Sequence, residues 1–226
     1  MSTEIKYWYL RSHQLFTVLN NSQIKQLCII TGFKKARKGE VIHLGSDGVP
    51  RIYFLKKGHI KIAEMDDKGN EVTKEIIRKG DLFGELSLDP SGGSREYAQV
   101  LTDDVTICSF LLSDFEALMA KHPALAVSYT RLVGLRFRKV SNNYSNLVFR
   151  DARSRLLYFL KEWVEREGVV NGSVAVLKNY LTQQDVAQII CTTRQTAAQL
   201  FSELEAEGLL QYNRKEILIN DIAALG

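Results

Sequence analysis

The stretch Leu181–Asp221, LTQQDVAQIICTTRQTAAQLFSELEAEGLLQYNRKEILIND, decides the reading of this chain. Thr182 followed three positions later by Asp185 is a capping box, each side chain accepting from the other's backbone amide, and it opens a helix of about two turns. Cys191 and Thr192 make a tight break. Thr192-x-x-Gln195 is expected to open a second helix that closes near Gly208, because glycine takes the left-handed conformation of a helix end at no steric cost. Ala187 is small where two helices would cross, and Val186, Ile189, Ile190, Leu200 and Leu204 supply an apolar interior. Two short helices joined this way form a helix-turn-helix, and the LLQYN/EILIN pair around Arg214-Lys215 reads as a β-hairpin wing.

A generic helical hairpin would share that apolar pattern. It would not require the exposed face carrying Arg194, Gln195, Thr196 and Gln199. An arginine fork matches the O6/N7 edge of guanine, a glutamine amide matches adenine, and a threonine hydroxyl suits phosphate. Together with Thr182, Thr193, Arg214 and Lys215, these residues are the candidate contacts to double-stranded DNA.

Upstream, Asp151 is placed as the N-cap of a helix whose apolar residues are Leu156, Leu157, Phe159, Leu160, Trp163 and Val164. VVNGSVAVLKN then reads as a short β-like link. From Ser113 to Val148 the pattern is helical, with Pro123 at a first turn. Ala126, Val133, Val140 and Leu147 recur every seven residues, with Tyr129 and Leu132 adjoining. Such spacing keeps one stripe toward a partner helix. It equally suits a helix packed on its own domain, and Gly134 and Arg136 interrupt the seam.

Between Phe33 and Phe110 the period changes to two. Short runs such as Ile52-Tyr53-Phe54-Leu55 and Ile60-Lys61-Ile62 are separated by Gly39, Gly45, Gly58, Gly69 and Gly80, and Lys68-Gly69-Asn70 reads as a hairpin tip. Several short strands at these intervals predict an antiparallel roll or barrel. The fold class is therefore α+β: an N-terminal antiparallel β-roll over 1–122, a long central helix over 123–149 whose stripe is a candidate for dimerisation, and a winged helix-turn-helix over 150–226.

Composition narrows the function. No apolar run approaches the ~20 residues of a membrane-spanning helix, and the N-terminus has neither the apolar core nor the cleavage site of a secretory signal. Cys28, Cys108 and Cys191 are odd in number and far apart, which argues for a reducing cytoplasm. His13, His43, His59 and His122 share no metal-ligand spacing, so no metal site is expected. Lys and Arg outnumber Asp and Glu by 22 to 16 in residues 1–150, but are outnumbered by 8 to 10 in residues 151–226. Charge alone thus does not mark the C-terminal part as a nucleic-acid binder. A catalytic protein would need a paired nucleophile and base, a metal set or a phosphate loop, and none is found.

KGEVI, YFLKKGHIKI, KGDLFGELSL and the Leu181–Glu205 segment, in that order, resemble the Crp/Fnr superfamily of bacterial transcription regulators, with coverage from about Leu15 to the C-terminus. The resemblance implies a cyclic-nucleotide-binding-like sensor roll, a dimer helix, a winged helix-turn-helix on a palindrome, and contact with RNA polymerase. The best-known family reader has Arg, Glu and Arg where this chain has Arg194, Gln195 and Gln199.

The resemblance also places an effector pocket at Gly84, Glu85, Leu86, Ser94, Arg95, Val140 and Ser141, within GELSLDPSGGSREYAQVLTDD and on the central helix. Cyclic-nucleotide members use Gly-Glu for the ribose and Arg followed by Ser or Thr for the cyclic phosphate. Here Arg95 is followed by Glu96, and counting back from Leu101-Thr102-Asp103 the arginine position falls on Ser94. Val140-Ser141 replaces the Thr-Ser pair that reaches adenine, and valine can neither donate nor accept. The reading is against cAMP. Iron–sulfur members need clustered N-terminal cysteines, and Cys28 stands alone there; nothing points to haem at His43, His59 or Cys108. The effector is left unassigned. The alternatives are a cAMP-responsive regulator and a nucleotide-sensing subunit without a DNA role.

Overall fold

The computed structural model describes residues 3–44, 49–69, 71–84 and 96–226. The expected turns at Gly45 and Asn70, and Glu85, Leu86, Ser94 and Arg95 of the effector loop, lie outside the described residues, as does the side chain of His43. The backbone divides into two compact units, Met1–Lys139 and Val140–Gly226, with the division falling inside one long helix.

The first unit is an antiparallel roll. Strands β1 (Gly32–Ala36), β2 (Val41–His43), β3 (Arg51–Lys57), β4 (Ile60–Met65), β5 (Glu71–Ile77), β6 (Leu82–Gly84), β7 (Glu96–Val100) and β8 (Val105–Leu111) form two four-stranded sheets, ordered β1-β8-β3-β6 and β2-β7-β4-β5. The period-two pattern explains the arrangement, since alternate residues face each other between the sheets. Ile42, Ile60, Ile62, Ile77, Ala98 and Val100 from one sheet pack on Leu55, Phe83, Val105 and Ile107 from the other.

A second core covers the outer face of the β1-β8-β3-β6 sheet. The sequence pattern predicts no element before Phe33, but residues there form α1 (Thr3–Ser12), a 3₁₀ turn (Gln14–Phe16) and α2 (Asn21–Ile30). Asn20 and Gln23 close a capping box at the start of α2, at 3.0 and 2.8 Å. These helices join α3 (Leu112–Lys121) and the first turns of α4 (Pro123–Phe149) in burying Leu10, Phe16, Ile24, Leu27, Phe54, Phe110, Phe115 and Leu125.

That packing corrects the expected dimer stripe. Tyr129 is buried in the roll's own core, edge-on to Phe115 with ring centroids 5.3 Å apart, and Ala126 and Leu132 pack against the same cluster. The physical reason is length. A 27-residue helix extends beyond the core that its first turns cover, so only the later part of α4 leaves apolar side chains uncovered. There Val133, Phe137, Val140, Tyr144 and Leu147 are exposed at alternating spacings of four and three. Phe137 and Tyr144, 75% and 69% exposed, are members of the stripe that counting in sevens alone omits.

The second unit contains α5 (Ala152–Glu167), β9 (Val169–Asn171), β10 (Val174–Lys178), α6 (Gln183–Ile189), α7 (Arg194–Ala206), β11 (Leu210–Tyr212) and β12 (Glu216–Ile219). Asp151 caps α5 as expected, accepting from Ser154 N at 2.7 Å. The segment read as a β-like link is structurally more than a link. It supplies β9 and β10 to a four-stranded sheet ordered β11-β12-β10-β9, with Ala175 and Leu177 buried opposite Ile219 and Ile217 of the wing.

Candidate nucleic-acid interface and effector roll

The helix-turn-helix is built by local hydrogen bonds that its sequence encodes. Asp185 N donates to Thr182 Oγ1 at 3.1 Å, and Thr182 N donates to Asp185 Oδ2 at 2.9 Å. The Thr182 hydroxyl proton goes to the same carboxylate at 2.6 Å, so this threonine acts first as a cap. Ile190 ends α6, and Cys191 takes a left-handed φ of 52° in the turn. The second cap is Thr193, one residue later than expected. Its Oγ1 accepts from Thr196 N at 3.1 Å and lies 2.8 Å from the Thr196 hydroxyl. The shift arises because Thr192 N is already committed to Ala187 O at 2.8 Å, extending the turn by one residue. Gly208, φ 74°, closes α7, with Leu209 N donating back to Leu204 O at 3.0 Å.

Val186, Ala187, Ile190, Ala197, Leu200, Phe201 and Leu204 are buried between the two helices and the sheet, whereas Ile189 is only half-buried. The opposite face of α7 presents Arg194, Gln195 and Gln199 to solvent, with Thr196 half-buried beside them. Gln199 is not loose, because its Nε2 donates to Glu203 Oε1 at 2.9 Å.

At the wing, Asn213 Oδ1 accepts from Lys215 N and Glu216 N at 2.8 and 3.0 Å, a turn that leaves Arg214 and Lys215 exposed at the tip. Asn179 holds that tip from β10's end, its Nδ2 donating to Asn213 O at 2.8 Å.

Arg155 of α5 belongs to no motif of the sequence. Its Nε donates to Ile190 O at 2.7 Å, Nη1 to Arg150 O at 2.6 Å and Nη2 to Cys191 O at 3.2 Å. One guanidinium thus ties α5 to the turn between α6 and α7 and satisfies carbonyls that the end of α6 leaves open. The partners lie as far as 36 residues away, and no local pattern announces them.

In the roll, Gly84 ends β6 with φ 93°, and a Cβ there would stand 2.6 Å from both Arg51 O and the Tyr53 ring. Tyr53 itself stacks on Phe83, ring centroids 5.1 Å apart. This glycine is thus demanded by the roll's own packing. Val140 and Ser141 are exposed on α4.

A charged cluster with no local sequence signal lies on the roll side of α4. Arg136 Nη2 meets Glu75 Oε2 of β5 at 2.5 Å, Arg136 Nη1 donates to Leu82 O of β6 at 2.6 Å, and Lys139 Nζ reaches Glu75 Oε1 at 3.3 Å. Nearby in the same sheet, Lys74 bridges Glu64 and Glu96 at 2.5 and 2.8 Å. These cations are thus already matched by carboxylates of the chain itself. Among the described residues no group of histidine, cysteine and acidic side chains could hold a metal ion. Cys28 and Cys108 are buried, and burial raises both thiol pKa values, so neither presents a thiolate. No helix of the described residues is long and apolar enough to cross a membrane.

An antiparallel roll followed by a winged helix-turn-helix is the architecture of a DNA-binding regulator. Comparison with known proteins agrees. Residues 33–122 match the cyclic nucleotide-binding domain family and residues 154–226 the Crp-like helix-turn-helix domain family. The chain is 26% identical over 184 residues to the CRP-like cAMP-activated global transcriptional regulator of Mycobacterium tuberculosis, covering 81% of this chain and 82% of the relative. It is 28% identical over 189 residues to the global nitrogen regulator of a Synechocystis species, covering 83% and 84%. The fold resembles FixK2 from Bradyrhizobium japonicum, TM-score 0.73 at 18% identity over 87% of this chain and 96% of that one. It also resembles a CooA variant from Carboxydothermus hydrogenoformans, TM-score 0.73 at 20% identity over 97% of each. The chain belongs to the Crp/Fnr superfamily and is a DNA-binding transcription regulator of that type.

Proposed function

We propose that this regulator works in the cytoplasm as a homodimer on a palindromic operator, where it acts on RNA polymerase. Residues 1–122 serve as the sensor roll, 123–149 as the dimer helix and 150–226 as the reading domain. The observation that carries this is the α7 face. Arg194, Gln195 and Gln199 stand exposed on the side of the helix opposite its buried core, and the wing offers Arg214 and Lys215 for phosphate. Arg194 reads guanine by its fork, and Gln199 reads adenine. Gln195 has an amide that both donates and accepts, so it does not demand the cytosine amino group that a carboxylate would. Two half-sites about 34 Å apart follow from a two-fold dimer. The reading needs no catalytic step.

The effector is not cAMP in this reading. Val140 cannot bond the adenine edge, and Glu96 places a negative charge directly after Arg95, where cyclic-nucleotide members carry a hydroxyl. In-vitro site selection with wild type and Gln199→Arg tests the DNA assignment. The variant is expected to shift one base pair per half-site toward guanine, and recovery of the same palindrome from both proteins would refute the assignment.

A further inference from the structure

We propose that Glu203 is a specificity-determining residue, one that positions the Gln199 amide so that it accepts adenine and rejects guanine. The inference rests on the assignment of α7 as the base-reading helix and asks how its glutamine chooses.

A carboxylate only accepts hydrogen bonds, so whichever way the Gln199 amide is turned, its NH₂ must face Glu203. The 2.9 Å bond from Nε2 to Glu203 Oε1 therefore fixes the flip of the amide chemically. One N–H is consumed by Glu203. What remains for a base is one N–H and Oε1, a donor beside an acceptor.

Adenine offers the complement in the major groove, the N6 amino donor and the N7 acceptor. Guanine offers two acceptors, O6 and N7. A glutamine with both N–H groups free could turn its NH₂ toward that guanine edge. With one N–H spent on Glu203, Oε1 is left against an acceptor, which is repulsive. Glu203 thereby removes the orientation that tolerates guanine.

The placement supports this role. Residues 199 and 203 are one turn apart on the same helix, the spacing at which side chains meet. Glu203 is half-buried, which restricts its rotamers, whereas Gln199 is exposed. Arg153, forked on Glu207 by bonds from Nη1 at 2.8 Å and Nη2 at 2.5 Å, also interacts electrostatically with Glu203.

The test is in-vitro site selection with the full-length protein, comparing wild type, Glu203→Ala, Glu203→Asp and Gln199→Ala, with salt dependence and thermal midpoints recorded for each. Glu203→Ala is expected to lower the adenine-over-guanine ratio at the Gln199 base pair about fivefold, near the lower end of what a bidentate base contact discriminates. Other positions, the salt slope and the midpoint stay as in wild type. Glu203→Asp keeps the charge but loses the reach, and should behave like Glu203→Ala.

An unchanged ratio in Glu203→Ala, with Gln199→Ala still altering that base pair, overturns the role of Glu203 alone. So does full retention of the preference in Glu203→Asp, which would make the effect one of charge, or loosening at every position together with a lowered midpoint, which would make it structural. If Gln199→Ala enriches the wild-type palindrome unchanged, the base-reading assignment itself fails.

Discussion

Phe137→Ala is the sharpest perturbation of the proposed dimer. The exposed stripe of α4 runs Val133, Phe137, Val140, Tyr144, Leu147, and spacings of four and three place all five on one seam. Phe137 leaves 75% of its surface to solvent in the single chain, more than any other member. Fully burying such a side chain contributes roughly 1.5–3 kcal/mol. A two-fold interface counts each side chain twice. Truncation to alanine should therefore cost the dimer about 3–4 kcal/mol, raising its dissociation constant roughly 10²- to 10³-fold. Alanine is the best helix former, so α4 itself should persist. Sedimentation equilibrium with circular dichroism reads both quantities. Leu135→Ala, also exposed but off the stripe, is the control and should leave the dimer intact. Equal dissociation constants for wild type and Phe137→Ala would refute the seam.

Three further expectations follow from the roll. Glu75→Gln removes the partly exposed ion pairs that tie α4 to β5 through Arg136 and Lys139, and should lower the stability of the first unit by about 1 kcal/mol in urea titration. Micromolar or tighter cAMP binding by wild type would contradict the reading of the roll. Gly84→Ala should destabilise the first unit by at least ~2 kcal/mol in urea titration, because φ is 93° and the new methyl meets Arg51 O and the Tyr53 ring. His13 accepts from Leu15 N through Nδ1 at 3.2 Å, so its Nε2 carries the proton and donates to Gly80 O at 3.0 Å. Burial lowers its pKa, outweighing the Gly80 carbonyl and the Asp81 charge, which act to raise it. The unfolded state thus takes up a proton first as pH falls below ~6.5, and stability present above that pH is lost toward the lower folded value. His13→Asn should flatten the loss of thermal midpoint between pH 7.5 and 5.5, and an equal loss in both proteins would exclude His13 as its source.

Much of the reading domain was legible because its determinants are local. Thr182 with Asp185, Asp151 with Ser154, and Gly208 at the end of α7 act across three to five residues, which is the range a sequence pattern shows directly. The roll was legible for a similar reason, since alternation of apolar residues is a local signal of a sheet with one face buried. The one-residue shift of the second cap marks the limit. Thr192 and Thr193 are equivalent by sequence, and the bond from Thr192 N to Ala187 O, made only when the turn closes, selects between them.

What the chain by itself could not settle is which apolar and charged groups meet across distance. Ala126 shares the seven-residue period of Val133 and Val140, and Tyr129 and Leu132 adjoin it, yet the roll's core claims these three and leaves the other two exposed. Periodicity names a face of a helix without naming what covers it. Arg155 finds Ile190 and Cys191, Arg136 finds Glu75 and Leu82, and β10 joins the wing sheet, over separations of 35 to 61 residues. A charged or half-apolar residue can satisfy itself against many partners in an unfolded chain. The fold picks one, because only that arrangement buries the apolar faces while leaving the polar groups between them bonded.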